Sequence, residues 1–190
     1  MRHMNGDATE MIPIRFMISV AIIAAILVLV AVASQSLGVS LAEHQVEQEC
    51  LLVQSSLSTM IASGSARDID SVDTAEGTQR IQTLMLPDSL IYLSFGGVPD
   101  PLNSGELHSS LTENGAVISY RVQGGSNHVL WLPKDTYKLR EGVLHENIWV
   151  LSGAGESYIV RHGGTLRLVF ELVQQNHETY ILIHANDGIE

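Results

Sequence analysis

The N-terminal part of the chain contains a long run of apolar residues. From Phe16 to Ala33 there is no charged residue, and the only hydroxyl group belongs to Ser19. These eighteen residues form a helix of about 27 Å, close to the ~30 Å hydrocarbon thickness of a bilayer. Because a backbone in lipid must satisfy its own hydrogen bonds, the run predicts a transmembrane helix.

Beyond this run, the apolar positions continue on one side of the helix only. They recur at spacings of three and four, with glutamate and glutamine between them, which is typical of an amphipathic helix. The pattern ends at Ser63-Gly64, a common helix stop, so one helix is expected from about Ile12 to Ser63. Gly38 lies where the two halves meet, at a position where a helix can bend. The apolar stripe consists of Val46, Cys50, Leu51, Val53, Leu57, Met60 and Ile61.

The pattern changes again after the helix. Residues 65–79 show little periodicity and several acidic side chains, which predicts a solvated linker. From Arg80 onward apolar and polar residues alternate, as in "RIQTLML", "LIYLSF" and "AVISYRV". Short connections that contain glycine separate these runs, and no helical pattern lies between them. This part predicts an antiparallel β-sheet or a small β-sandwich.

The predicted fold class is therefore α+β. A long N-terminal helix, transmembrane and then amphipathic, precedes an antiparallel β-sheet or small β-sandwich domain. The expected segments are a cytoplasmic leader (1–11), a transmembrane helix (12–36), its extracytoplasmic amphipathic continuation (37–64), a linker (65–79) and the β domain (80–190).

Charges beside the apolar run predict its orientation. Arg2 and Arg15 precede it, whereas the next arginine or lysine after it is Arg67. Since cytoplasmic flanks carry the excess of lysine and arginine, we expect the N-terminus in the cytoplasm and the β domain outside the cell membrane. An alternative is a secretion signal cut after Ala33, because Ala31-Val32-Ala33 fits the small-x-small cleavage pattern.

Composition narrows the function classes. The formal charge of −11 argues against nucleic acid as a partner. Cys50 is the single cysteine, so no internal disulfide is expected. The eight histidines form no H-x-x-x-H pair, and no nucleophile elbow, P-loop or dinucleotide fingerprint occurs. We therefore expect no enzyme, catalytic residue, metal or cofactor.

The order of segments, with a polar leader, an apolar helix that becomes amphipathic and a β domain, resembles type IV pilins and the pilin-like subunits of related secretion and archaeal surface filaments. "MNGDATEMIPIRFMISVAIIAAILVLV" looks like a pilin N-terminus. The resemblance implies that a prepilin peptidase cuts after Gly6, which makes Asp7 the first residue and Glu10 the fourth. In the family, an early glutamate helps to place a subunit against its neighbour's N-terminal amine.

Three residues near the helix start have alternative interpretations. Asp7 and Glu10 have the i, i+3 spacing of a capping box, and either acid favours a helix N-terminus. Arg15 is either an interfacial cation that sets topology or a partner of Glu10 or Asp7 in a neighbouring subunit. Within one helix Glu10 and Arg15 are five residues apart and face each other poorly.

The predicted function is a non-enzymatic, pilin-like subunit of a surface filament or secretion apparatus. Its partners would be the lipid bilayer and other pilin-like subunits or a membrane assembly platform. The alternative is a single-pass, membrane-anchored β domain that binds an unknown ligand or membrane partner outside the cell. A secreted protein released by cleavage after Ala33 is the third interpretation.

Overall fold

A computed structural model describes residues 7–71, 77–108, 115–132, 137–146, 148–152 and 156–185, and within the helix it describes side chains from Ile14 onward with Gln35 left out. One α-helix, α1 (Asp7–Ser63), is followed by ten β-strands. The α+β fold class is thus confirmed. The strands are β1 (Arg67–Asp68), β2 (Gln79–Leu86), β3 (Leu90–Phe95), β4 (Val117–Val122), β5 (His128–Trp131), β6 (Tyr137–His145), β7 (Ile148–Leu151), β8 (Tyr158–Val160), β9 (Gly164–Gln175) and β10 (Glu178–Ala185).

The chain divides into two units, Met1–Ser40 and Leu41–Glu190. Helix α1 runs unbroken through this boundary and comprises 57 residues. It begins earlier than the pattern predicts, at Asp7, and it ends at the predicted residue. The amide of Gly64 closes the helix by donating to the carbonyl of Met60 at 2.7 Å. Gly38, the position at which the sequence allows a bend, is part of the helix.

In the second unit the strands form two sheets. The six-stranded sheet has the order β1-β9-β10-β6-β7, with β2 also paired to β9, and the four-stranded sheet has the order β5-β4-β3-β8. Most pairs are antiparallel, as expected, but β1 pairs with β9 and β6 pairs with β10 in parallel. The alternation of residues predicts hairpins between consecutive strands and contains no information about such non-consecutive partners. The segment predicted as a linker contributes β1.

The C-terminal half of α1 lies along the edges of both sheets. Gln45 donates to the carbonyl of Met85 at the end of β2, and Gln54 donates to the carbonyl of Trp131 at the end of β5, each at 2.8 Å. Past the helix end, the amide of Thr78 donates to the carbonyl of Ser65 at 2.9 Å. Strand β2 therefore runs antiparallel beside the helix, and α1 covers edge strands that would otherwise offer free backbone groups.

The core of this unit lies between the helix and the two sheets. From the helix it takes six buried residues spaced by three or four positions: Ala42, Val46, Cys50, Val53, Leu57 and Met60. The sheets meet in the same core, where the rings of Phe95 on β3 and Phe170 on β9 contact edge to face at 5.7 Å. This helix–sheet packing is how the amphipathic half of α1 buries its apolar stripe.

Candidate functional site: the two halves of helix α1

The first half of α1 is an exposed apolar surface. Every described side chain from Ile14 to Gly38 is exposed to solvent, and α1 is the one described helix that is long and apolar enough to cross a membrane. Leu27, Leu29 and Val32 are each more than half exposed. An exposed apolar surface of this size is typical of segments that contact lipid or other protein surfaces.

The sequence of this half permits close helix packing. Alanine occurs at positions 21, 24, 25, 31 and 33, and small side chains let neighbouring helix backbones approach each other in a membrane. The polar groups within it are satisfied locally, since the hydroxyl of Ser19 donates to the carbonyl of Arg15 at 2.9 Å and that of Ser34 donates to Val30 at 2.8 Å. The surface is thus free of unpaired hydroxyl groups at these two positions.

The predicted site residues lie at the start of the helix. Asp7 is its first residue, and Glu10 and Arg15 follow in its first turns. The side chain of Arg15 is exposed. The side chains of Asp7 and Glu10, and Gly6 altogether, lie outside the described part of the chain, so their pairing stays a prediction.

The second half of α1 is held by polar side chains on both flanks of its apolar stripe. Glu43 Oε1 lies 2.9 Å from His128 Nε2 and accepts from the amide of Ser126 at 3.2 Å. The ring of Tyr120 stacks on that of His128 at 4.8 Å. A Cβ at Gly125 would overlap the Glu43 carboxylate, so a side chain there would displace Glu43 from its present position. Together these contacts form what we call the Glu43 clamp.

Electrostatics support the same contacts. The hydrogen bond from His128 lowers the pKa of Glu43, although burial acts in the opposite direction and the Ser126 amide adds to the lowering. On the buried side of the helix, burial raises the pKa of the Cys50 thiol to about 12, and the charges of nearby Glu49 and Glu47 add to this increase. Cys50 is therefore an unreactive, buried apolar residue, as its place in the stripe predicts.

The outer side of the six-stranded sheet carries a buried ion pair. The Arg67 guanidinium donates to both carboxylate oxygens of Glu171, at 2.7 and 3.0 Å, and to the carbonyl of Trp149. The Trp149 ring stacks on His184 at 3.7 Å. These contacts attach the β6–β7 hairpin to β9 and β10.

In the described residues, no group of three or more histidine, cysteine, aspartate or glutamate side chains is placed to bind a metal ion. One open polar pocket of about 410 Å³ is lined by Asp68, Asp70, Gln174, Asn176 and His177.

The sequence pattern did not identify the polar contacts of the helix. Glu43 and His128 are 85 residues apart, and Gln54 and Trp131 are 77 apart. Each residue looks like an ordinary polar or strand position in the sequence, and no local signal relates one to the other.

Comparison with protein-family models, with curated proteins and with solved structures finds no match for this chain. The assignment of a function therefore depends on the organisation of the chain: a long apolar N-terminal helix followed by a β-sheet domain.

Proposed function

We propose that this chain is a non-enzymatic, pilin-like subunit of a type IV pilus-type surface filament or secretion apparatus, anchored in the cell membrane by helix α1. The observation that carries the proposal is that the two halves of helix α1 have different surroundings. Its first half exposes apolar side chains in all directions, and its second half is packed into the β unit. This is the layout of the pilin-like proteins that the sequence resembles.

The proposed mechanism exchanges one apolar environment for another. In the bilayer, lipid surrounds the first half of the helix, with the N-terminus in the cytoplasm and the β domain outside. On assembly, helices of neighbouring subunits replace lipid, and the alanine positions allow close approach. A membrane assembly platform would supply the energy needed to extract the subunit from the bilayer. The β domains would form the outer surface of the filament. The work is structural and needs no cofactor.

A second candidate is a single-pass anchored β domain that binds a ligand or a membrane partner. The unit from Leu41 to Glu190 is compact by itself. It exposes large apolar side chains on edge strands, with Trp131 on β5 at 55% and Ile148 on β7 at 48%. Exposed aromatic and aliphatic groups of this kind are common at binding surfaces.

The intact mass of the protein in the membrane fraction separates these functions from secretion. A mature chain that begins at Asp7 supports the filament subunit, because it shows processing at the expected position. A chain that begins at Ser34 contradicts both membrane proposals. If the full chain is present, electron microscopy of the cell surface decides, since only the filament proposal requires fibres that are lost on deletion of the gene.

The predicted pairing of helix starts provides a sharper test. We expect Arg15→Ala and Glu10→Ala each to reduce the number of filaments about tenfold, because either change leaves a charge without its partner at the membrane. The double variant should be no worse than the single ones, since both remove the same interaction. Ser19→Ala in the same helix is the control, because its hydroxyl bonds only within the helix. Normal numbers of filaments in the Arg15→Ala, Glu10→Ala and double variants would contradict the pairing.

A further inference from the structure

The outward face of β2 and β9 carries an exposed patch of mixed character. In the antiparallel register Thr83 lies opposite Arg167 and Met85 lies opposite Thr165. Residues directly opposite share a face and so do alternate residues along a strand, which places Ile81 on this face as well. Ile81 is 49% and Met85 63% exposed. We call these five residues the β2–β9 patch.

One of the exposed cations of the second unit, Arg167, lies in this patch. The chain has a net charge of −11, and most of its described arginines and lysines in this unit are buried or paired with carboxylates. Arg80 on β2, Arg161 before β9 and Arg167 on β9 are exposed, and the described residues offer them no ion pair. Two copies of an acidic protein repel each other unless such cations are placed in their contact.

Acidic residues, which pair well with arginine, lie near the opposite end of β9. The polar pocket of about 410 Å³ is lined by Asp68 and Asp70, and Asp68 Oδ1 accepts a hydrogen bond from the amide of Asp70 at 3.0 Å. Asp70 accepts from Gln175 Nε2 and from the amide of Asn176, both at 3.4 Å, so these are long hydrogen bonds that leave acceptor capacity. Seven residues of strand separate Arg167 from Gln174 in this pocket, which is about 23 Å.

We propose that copies of this chain associate head to tail through these two surfaces. The Arg167 guanidinium of one copy enters the Asp68–Asp70 pocket of the next, where a guanidinium pairs well with carboxylates. Ile81 and Met85 are covered by the same contact. Because the two surfaces differ and lie at opposite ends of β9, a pair of copies leaves one surface of each copy free, so the contact can repeat from subunit to subunit.

The partner in this contact is a second copy of the proposed filament subunit, so the proposal of the contact rests on that function. It differs from helix bundling because it needs residues of the second unit alone. Its occupant is a second copy of this chain, chosen because the patch combines the exposed Arg167 with apolar side chains and the pocket is lined by two aspartates.

Chemical cross-linking of the full-length protein in its native membranes tests the geometry. We place one cysteine in the patch by Thr83→Cys and one beside the pocket by Ser71→Cys, and treat membranes with a short bis-maleimide. The chain with both changes should give a ladder of oligomers, and each single variant should remain monomeric. The wild-type chain is the blank, because Cys50 is buried. Dimers of the Thr83→Cys chain alone, or no ladder with both cysteines, would overturn the proposal.

Charge reversal in the chain with both cysteines tests the chemistry. Arg167→Glu should reduce the ladder about tenfold, and adding Asp70→Arg to it should restore most of the ladder. Arg80→Glu is the matched control, since it makes the same change in net charge but lies at a register position on the opposite sheet face, across from Phe170. Equal losses for Arg167→Glu and Arg80→Glu would mean that only net charge matters, and would overturn the contact. Tryptophan fluorescence verifies folding of each variant.

The same cells distinguish the contact from the proposed function. Filaments without a ladder would overturn the head-to-tail contact and leave the filament subunit in place. A ladder without filaments would support the contact and contradict the filament function.

Discussion

At the scale of single residues, Glu43 shows how the helix is fixed to the β unit. Its carboxylate lies 2.9 Å from Nε2 of His128, the first residue of β5, and accepts a hydrogen bond from the amide of Ser126 in the turn between β4 and β5. The apolar stripe alone would tolerate small sliding of the helix, whereas these directional bonds define its position against β5. A hydrogen bond to a charged group contributes more than a neutral one, so the Glu43 clamp should affect stability measurably.

We expect Glu43→Gln to lower the free energy of unfolding by about 0.5–1 kcal/mol at neutral pH, as partly exposed charged contacts do. The pKa of Glu43 is lowered in the folded chain. Its contribution is therefore fully present above the ordinary glutamate pKa of about 4.3 and is lost as the pH falls through the folded pKa. The difference between variant and wild type should thus shrink in acid.

Urea unfolding of the full chain in detergent micelles measures this effect. Both tryptophans, Trp131 on β5 and Trp149 on β7, lie in the second unit, so their fluorescence reports on it. Glu47→Gln is the control, because Glu47 makes only an exposed contact with His44 at 3.6 Å. A loss that is the same at every pH would show that the clamp does not act through the charge of Glu43.

At the scale of elements, the buried stripe decides how strongly α1 packs. Leu57 is fully buried, whereas Leu52 on the outer side of the same helix is 62% exposed. Leu57→Ala should cost about 3 kcal/mol, since it removes buried methyl groups and leaves a cavity. Leu52→Ala should change stability by no more than about 0.5 kcal/mol. The same urea titration measures both, and similar losses for the two would contradict the packing described here.

The helix was the element that the sequence predicted best. Val46, Cys50, Val53, Leu57 and Met60 are all buried, as their spacing requires. Leu51 was also placed in the stripe but is 41% exposed. It follows Cys50 directly, so the turn of about 100° per residue moves its side chain away from the core. Hydrophobicity identifies a helix, but the orientation of each apolar residue depends on the partner surface.

The sheets were predicted less completely than the helix. The alternation of apolar and polar residues predicts most strands and the antiparallel hairpins, such as β4 with β5 and β9 with β10. The parallel pair of β6 with β10 was not predicted, because three strands (β7, β8 and β9) lie between them in the chain although the two are neighbours in the sheet. The Glu43 clamp was not predicted for the same reason, since a contact between distant residues leaves no local pattern.

At the scale of the whole molecule, two environments are combined in one chain. The unit that ends at Ser40 has an exposed apolar helix, and the unit that begins at Leu41 has a core of its own. The first unit leaves its apolar side chains exposed, whereas the second has already buried its helical stripe. A filament subunit and a single-pass anchored protein both require this separation, so the decisive evidence is assembly rather than stability.

A shortened chain that begins at Leu41 tests whether the second unit is independent. We expect it to be soluble without detergent and to keep its stability, because the residues of α1 that pack against the sheets all lie beyond position 40. Circular dichroism and tryptophan fluorescence should show a cooperative unfolding transition with a midpoint close to that of the full chain in micelles.

A second shortened chain that begins at Gly64 is the control. It lacks the stripe and the side chains that cover β2 and β5, so it should aggregate through these edges. Aggregation of both chains to the same extent would show that the second unit depends on the apolar half of the helix.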